Sequence, residues 1–351
     1  MNVQAVSMRF QPQSDSERVA PAAGSSLVIV IVCYKAADLT VACLGSLAPE
    51  VARIPGAKVV VCENGTGPES VETLREAIDA NGWSAWVELK AISPNRGFSG
   101  GNNAVLGELL AADERPEFVL LLNADTIVRP GALAELLSAA RDHPRAGIVG
   151  PRLEWPDGQP QQSCFNDCTP ASEFFIAART GALSRLFGAR PWALPVSDEP
   201  VEVEWTTFAC ALIRGQVLAE VGLLDEGFFL YFDDPDYCRR ARAAGWKVLH
   251  WPAARVVHLR GQSNPVKSLT ARLQRRPAYW YASRARYYAK YYGRVGLWTA
   301  NLLWTLGRTI SKARELAGLK RERHVCEREW LDIWTHCADP LKMPVAAGDR
   351  S

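Results

Sequence analysis

The chain has 351 residues, 48% of them hydrophobic and 22% charged, the balance of an ordinary soluble globular protein with one large domain, or one domain plus an appendage. Its nine cysteines are irregularly spaced and form no CxxC pair, which argues against a disulfide framework or a zinc site and for a reducing cytoplasm. Formal net charge is only +2, yet Tyr237 to Arg314 holds 17 Lys and Arg and no Asp or Glu, so this basic C-terminal third suits an acidic partner: phosphates, a nucleic acid or an anionic membrane surface.

Residues 1–26 lack the apolar core of a secretion signal and read as a disordered leader. Leu27 to Cys33 (LVIVIVC) is an unbroken apolar run, expected of a strand buried on both faces, and it ends at Tyr34-Lys35. Ala36 to Ala48 predicts an amphipathic helix with Leu39, Cys43 and Leu47 on one stripe. Lys58 to Cys62 is the next strand, ending at Glu63-Asn64-Gly65; Ser70 to Asn81 is a helix stopped by Gly82; Trp86 to Ile92 is a third strand. This alternation predicts right-handed crossovers and a doubly wound, mainly parallel sheet.

Pro94 to Asn103 (PNRGFSGGNN) reads as a glycine-rich loop whose backbone can approach an anion, with a helix from Ala104 to Ala112 starting behind it. It is neither GxGxxG nor GxxxxGK[ST], so a nicotinamide site gains little support and a P-loop no more. Phe118 to Leu122 is a further buried strand, and it stops at Asn123-Ala124-Asp125. Open α/β sheets bind ligands at such strand ends, which makes Asp125 a candidate ligand for a hard divalent cation that holds phosphates; the competing reading is an Asp that caps the turn before Pro130. Gly131 to Arg141 predicts a helix, Gly147 to Gly150 a short strand, and Glu154 to Gly158 a hairpin turn. Residues 160–200 show no clear period and read as a partly helical excursion.

Val201 to Ile213 predicts one strand and Arg214 to Val221 a short helix. Five carboxylates then fall between Asp225 and Asp236, interleaved with aromatic residues. Crowded acids among apolar rings repel one another and are poorly solvated, which raises carboxyl pKa values and suits a general base or a cation site. The alternative is that Asp234 and Asp236 cap a helix from Tyr237 to Ala244. Lys247 to His250 and Arg255 to His258 predict two short strands, and His258 at the end of the second is a candidate metal or phosphate contact.

VIVIVCYK, VCENG, NRGFSGGNN, LLLNADTIV, VGLLDEGFFLYFDDPDYCRRARAAGW and VVHLRGQS, in that order from Leu27 to Ser263, resemble bacterial glycosyltransferase family 2 and its rhamnosyltransferase-like branch. The resemblance implies a GT-A, Rossmann-like fold: a mixed, mainly parallel sheet flanked by helices, forming a catalytic domain over 27–263; beyond it the resemblance fades, and 264–351 reads as a basic, aromatic-rich helical C-terminal extension. It implies that Tyr34, Glu63 and Asn64 border the nucleotide base and ribose, and that Arg96, Gly97, Gly101 and Asn102 lie near base, ribose and diphosphate. Asp125, beside Asn123, would hold Mg²⁺ or Mn²⁺ on that diphosphate, with His258 near the metal. Asp234, or its neighbour Asp233, would be the general base of an inverting displacement, and Trp205 and Asp236 would lie on the substrate side. Three departures stand out. Glu63 replaces the usual Asp, Asp233-Asp234-Pro235-Asp236 replaces Glu-Asp-x-Asp, and Phe208 stands where a small Gly is expected.

Ala278 to Arg294 holds six of the nine tyrosines among Arg and Lys, and Val295 to Gly307 is uncharged with Trp298 and Trp304. Thirteen uncharged residues are too few to span a bilayer, but the mixture suits a helix at the headgroup level; stacking on single-stranded nucleic acid or ordinary docking on the catalytic domain are the alternatives. Lys320 to Trp334 reads as a last charged helix. The expected activity is transfer of a sugar, dTDP-rhamnose being the donor the branch implies, to a saccharide or polyprenyl-diphosphate-linked acceptor at the cytoplasmic face of the membrane, with no nucleic-acid partner. The competing readings are a UDP-sugar donor on the same fold and a non-catalytic sugar-nucleotide-binding or scaffold protein.

Overall fold

The computed structural model describes residues 27–260, 266–319 and 325–343, so the expected leader, Gly261 to Ser263 and residues 320–324 of the expected last helix lie outside the described residues. Strands β1 (Leu27–Cys33), β2 (Lys58–Asn64), β3 (Val87–Ile92) and β4 (Phe118–Asn123) run parallel in the order β3-β2-β1-β4. Helices α1 (Ala37–Val51), α2 (Pro68–Ala80) and α3 (Gly97–Ala111) form the crossovers. The apolar runs are buried on both faces as expected. Leu27, Ile29 and Ile31 face one layer with Leu47 and Leu74, and Val28 and Val30 face the other with Val105. Full burial of each such side chain stabilises by about 1.5–3 kcal/mol, which fixes the register of the central strands.

The second half of the sheet is mixed. β6 (Ala146–Glu154) and β11 (Lys247–His258) are parallel, while β10 (Cys210–Arg214) lies antiparallel between β4 and β6. β5 (Thr126–Val128) and β8 (Val201–Val203) both pair antiparallel with β11. The helix α4 (Ala132–Asp142) follows β5, and α7 (Gly215–Val221) follows β10.

Several expectations needed correction. The glycine run is not a loop: Gly100 and Gly101 lie inside α3, which begins at Gly97. A Cβ on Gly101 would stand 2.7 Å from Val32 Cγ1, so glycine there lets α3 close on β1. The strand at 147–150 is nine residues long. Val201 to Ile213 breaks into β8, β9 (Trp205–Thr206) and β10; β9 leaves the main sheet to pair with β7 (Cys164–Phe165). The two strands expected at 247–258 are one, with a register irregularity between Trp251 and Arg255, because the apolar residues on either side of Pro252 stay in one ladder with β6.

In the 160–200 excursion, α5 (Pro170–Ala178) carries a capping box from Thr169 and Ser172, and α6 (Gly181–Leu186) follows. The C-terminal region holds α9 (Val266–Ala271), α10 (Ala278–Leu316) and the single turn α11 (Glu329–Asp332), the only helical part of the expected charged helix within the described residues. The helix α10 is two helical halves joined at Gly293 (φ 67°). Its distal half packs so closely on α5 that a Cβ on Gly307 would meet Phe174 O at 2.5 Å. All nine cysteines are free and buried.

Candidate active site

The site begins where β4 stops. Asn123 donates its backbone N–H to Ala209 O (2.9 Å), and Thr126 Oγ1 donates to Asn123 O (2.7 Å), which turns the chain sharply at Ala124-Asp125. The β5–β11 pair then sets His258 opposite Thr126, and Leu259 donates to Asp125 O. The result is His258 Nε2 at 3.5 Å from Asp125 Oδ1, both side chains buried. A carboxylate oxygen and an imidazole nitrogen at this spacing form a donor pair that fits one divalent cation, whose remaining ligands would come from a diphosphate and water. Among the described residues there is no group of three or more His, Cys, Asp or Glu that could hold a metal. Sequence reasoning passed over Arg260, two residues beyond His258. Its φ of 42° and its bond to Gln162 O (2.6 Å) hold it near Asp125, whose negative charge partly offsets the burial that lowers the Arg260 pKa. A half-buried guanidinium there adds a fixed positive charge for an anion.

The loops after β1, β2 and β3 are tied to one another. Glu63 accepts from the N–H groups of Gly65 (3.2 Å) and Thr66 (2.9 Å), closing the turn, and Lys35 N–H donates to Thr66 Oγ1. Tyr34, half-buried, lies under Lys35 Nζ at 5.3 Å. Asn64 donates to Gly97 O (2.9 Å) and Asn95 Oδ1 (3.1 Å) and accepts from Arg96 N–H (3.0 Å). The side chains of Glu63 and Asn64 therefore shape the loops. Asn102 likewise bonds within its own helix, to Phe98 O.

Arg96 reaches across to the acid-rich segment, with Nη2 at 2.9 Å from each oxygen of Glu226. Asn103, which sequence reasoning did not single out, ties the same segment down. It donates to Leu224 O (2.9 Å) and Glu226 Oε1 (3.1 Å) and accepts from Leu224 N–H (3.0 Å). Gly97 (φ 70°) has no room for a Cβ, which would fall 2.1 Å from Phe229 O.

Tyr231 (φ 69°) and Phe232 (φ 64°) both adopt the left-handed region, a strained pair for bulky residues, and they lead directly into α8 (Asp233–Ala243). The three acids Asp233, Asp234 and Asp236 all lie in its first turn, where the positive end of the helix favours negative charge, so the helix-start alternative stands, with the start at Asp233 rather than Tyr237. Asp233 is 5% exposed, and burial, reinforced by the Asp236 charge, pushes its carboxyl up to about 7. Asp234 is half-buried. Asp236 is fully buried and engaged: Arg240 Nε (2.9 Å), Lys290 Nζ (2.6 Å) and Tyr291 Oη (2.7 Å) surround it. Phe208 links the two centres. It precedes Ala209, which binds Asn123, and its ring meets that of Tyr237 in α8 at 5.9 Å. Phe208 and Trp205 are both core residues, the latter stacked on Phe165 at 4.2 Å with its Nε1 donating to Asn166 O.

The tyrosine-rich half of α10 packs on the back of this segment. Arg286 Nη2 and Lys290 Nζ each lie 2.8 Å from Asp225, which the two cations hold at a pKa of about 2 despite its burial. Ser283 Oγ donates to Leu230 O, and Tyr287 packs on Phe232. The buried Arg284 pairs with Glu173 of α5 (3.1 Å). Most cations of the basic third are thus matched by acids from elsewhere in the chain: Arg242 by Asp167, Arg255 by Glu154, Arg275 by Asp332 and Arg276 by Glu329. For residues 278–292 the docking-helix alternative describes the structure. The legible signal was Arg286 and Lys290 four apart on one helix face in an acid-free segment.

The family model described as glycosyltransferase like family 2 matches residues 23–282. The chain belongs to glycosyltransferase family 2. It is 28% identical over 254 residues to the N-acetylglucosaminyl-diphospho-decaprenol L-rhamnosyltransferase of Mycobacterium tuberculosis, covering 68% of this chain and 78% of that one, a likeness that puts it in the rhamnosyltransferase-like branch. The low-salt glycan biosynthesis hexosyltransferase Agl10 of Haloferax volcanii is 29% identical over 62% of this chain and 61% of its own length. Among solved structures, a mannosyltransferase from Pyrobaculum calidifontis in complex with GDP-Man and Mn²⁺ superposes with TM-score 0.51 at 16% identity, over 87% of this chain and 79% of that one. GalNAc-T7 with UDP, GalNAc and Mn²⁺ gives 0.52 at 16% identity, over 84% of this chain, which spans about half (55%) of that structure. At this identity the structural likenesses establish the GT-A fold of this glycosyltransferase and nothing finer.

Proposed function

We propose that this family 2 glycosyltransferase transfers a hexosyl group, rhamnose from dTDP-rhamnose being the donor its branch favours, to a saccharide carried on a polyprenyl diphosphate, at the cytoplasmic face of the membrane in cell-surface polysaccharide synthesis. The observation that carries the reading is the Asp125–His258 donor pair at the carboxyl end of β4, beside Arg260. A Mg²⁺ or Mn²⁺ ion held there would neutralise charge on the leaving nucleoside diphosphate. Tyr34, Arg96 and the first turn of α3 would line the donor side, with Glu63, Asn64, Asn102 and Asn103 holding that wall in place.

Asp234 is the base we favour. It is half-buried at the mouth of the acid segment, whereas Asp233 is enclosed and Asp236 is engaged by Arg240 and Lys290. Its carboxylate would take the proton of an acceptor hydroxyl as that oxygen bonds to the anomeric carbon and the bond from that carbon to the diphosphate oxygen breaks. One displacement inverts the anomeric centre and needs no covalent sugar–enzyme intermediate.

The test is turnover of dTDP-rhamnose and UDP-hexoses with a synthetic prenyl-diphosphate-linked N-acetylglucosamine, read as glycolipid product. Transfer from one donor, abolished in Asp125→Asn and Asp234→Asn, supports the proposal; release of nucleotide without glycolipid product, or transfer that survives both variants, overturns it.

A further inference from the structure

Large exposed apolar side chains are distributed unevenly. Among the described residues none occurs before Trp155, while ten of the fifteen lie between Val295 and Met343. The distal half of α10 concentrates them. Val295, Trp298, Leu302 and Leu306, 80%, 51%, 58% and 52% exposed, recur every three or four residues and fall within an arc of roughly 100° on the helix. The opposite face, Leu297, Ala300, Trp304 and Gly307, is buried. The helix is therefore apolar on two sides and covered on one. Cations flank the open side: Arg294 precedes the stripe and Lys312 follows it on the same flank. The first acid of α10 is Glu315, and it pairs with Lys312.

We propose that this face of α10 seats the protein on an anionic phospholipid bilayer, lying in the plane of the interface. Three observations favour that occupant. The charge flanking the stripe is positive, complementary to an anionic headgroup layer, whereas a second copy of the chain would set these cations against one another. Trp298 at the edge of the stripe, and the long cationic stems of Arg294 and Lys312 beside it, are side chains of the kind that sit at the level of headgroups. No helix of the described residues is long and apolar enough to cross a membrane, which leaves the in-plane mode for this helix. The stripe starts five residues beyond Lys290, directly after the break at Gly293, so the same helix that grips Asp225 and Asp236 would carry the acid segment at the bilayer surface. This gives the proposed lipid-linked acceptor a route into the site, but the surface is argued from its own chemistry.

The test is co-sedimentation of the full chain with vesicles of phosphatidylcholine alone and of phosphatidylcholine with phosphatidylglycerol, neither containing an acceptor. The expected result is binding to the anionic vesicles, weakened by salt. Trp298→Ser combined with Leu302→Ser should lower the partition coefficient about tenfold or more. Arg294→Gln and Lys312→Gln should each lower it about fivefold at low salt. Unchanged nucleotide binding and circular dichroism in these surface variants separate this outcome from misfolding and from failure of the transferase reading. Absence of wild-type binding to anionic vesicles, or variants that bind as wild type does, overturns the proposal. So does a wild-type dimer that the Ser variant converts to monomer without any lipid binding, which would give the stripe to a second copy.

Discussion

Lys290→Met isolates the grip of α10 on the acid segment. Methionine keeps most of the stem packed near Phe228 and removes only the ammonium that bridges Asp225 (2.8 Å) and Asp236 (2.6 Å). Removing one partner of a buried ion pair costs about 3–5 kcal/mol when the other is left alone. Here Asp236 keeps Arg240 and Tyr291, and Asp225 keeps Arg286, while Lys290 itself is 26% exposed, so a loss of about 1.5–2.5 kcal/mol is expected. The acid side of the stability curve should change too. Asp225 sits below its ordinary value, so its contribution is present above about pH 4 and is lost as pH falls towards about 2. Without Lys290 its carboxyl rises, less of that contribution remains, and acid unfolding begins from a lower plateau. Urea unfolding at neutral and acid pH, with Arg286→Met and the double variant completing a cycle, measures both effects. A change below about 0.5 kcal/mol with an unaltered acid limb would show the pairs to be no more than ordinary surface pairs and refute the grip.

Asp234→Asn should reduce turnover about 10²–10⁴-fold with nucleotide binding intact, as expected for loss of a general base. Asp233 is raised to about 7, so folding stability should decline as pH rises from about 4 through 7, and Asp233→Asn should abolish that decline; pH-dependent urea midpoints check it, and a rate limb near pH 7 that disappears in Asp233→Asn but not in Asp234→Asn would move the base to Asp233. Gly101→Ala places its methyl 2.7 Å from Val32 and 3.1 Å from Asn64, and should destabilise by about 1–3 kcal/mol and weaken nucleotide affinity together; an unchanged midpoint would contradict the close packing of α3 on β1.

The strands of the first half were legible because LVIVIVC and FVLLL can only be satisfied by burial on both faces, and α1 and α2 between them bury one stripe each. The second half was less so, because short antiparallel strands are inserted among the parallel β6 and β11. β10 and β9 are consecutive in sequence but belong to different sheets, a choice made by pairing with β4 and β7 that no local period encodes. At the site, Asp125 and His258 were legible as polar residues at strand ends, and their meeting depends on the three-residue β5, too short to read. The glycine run misled because glycine signals close approach without saying to what. Here Gly101 serves a neighbouring strand and Gly97 the Phe229 carbonyl. The basic third misled for a similar reason: local sequence shows its cations but not the distant acids that pair with them.

The metal-assisted nucleotide site built on Asp125 can be tested by calorimetric titration of dTDP and UDP, each with and without Mn²⁺, into wild type and Asp125→Asn. Wild type should bind one nucleotide in a metal-dependent way, and the variant should lose that binding with its fold retained. Failure of both nucleotides to bind wild type under any condition, or equal metal-dependent binding to the variant, would contradict it.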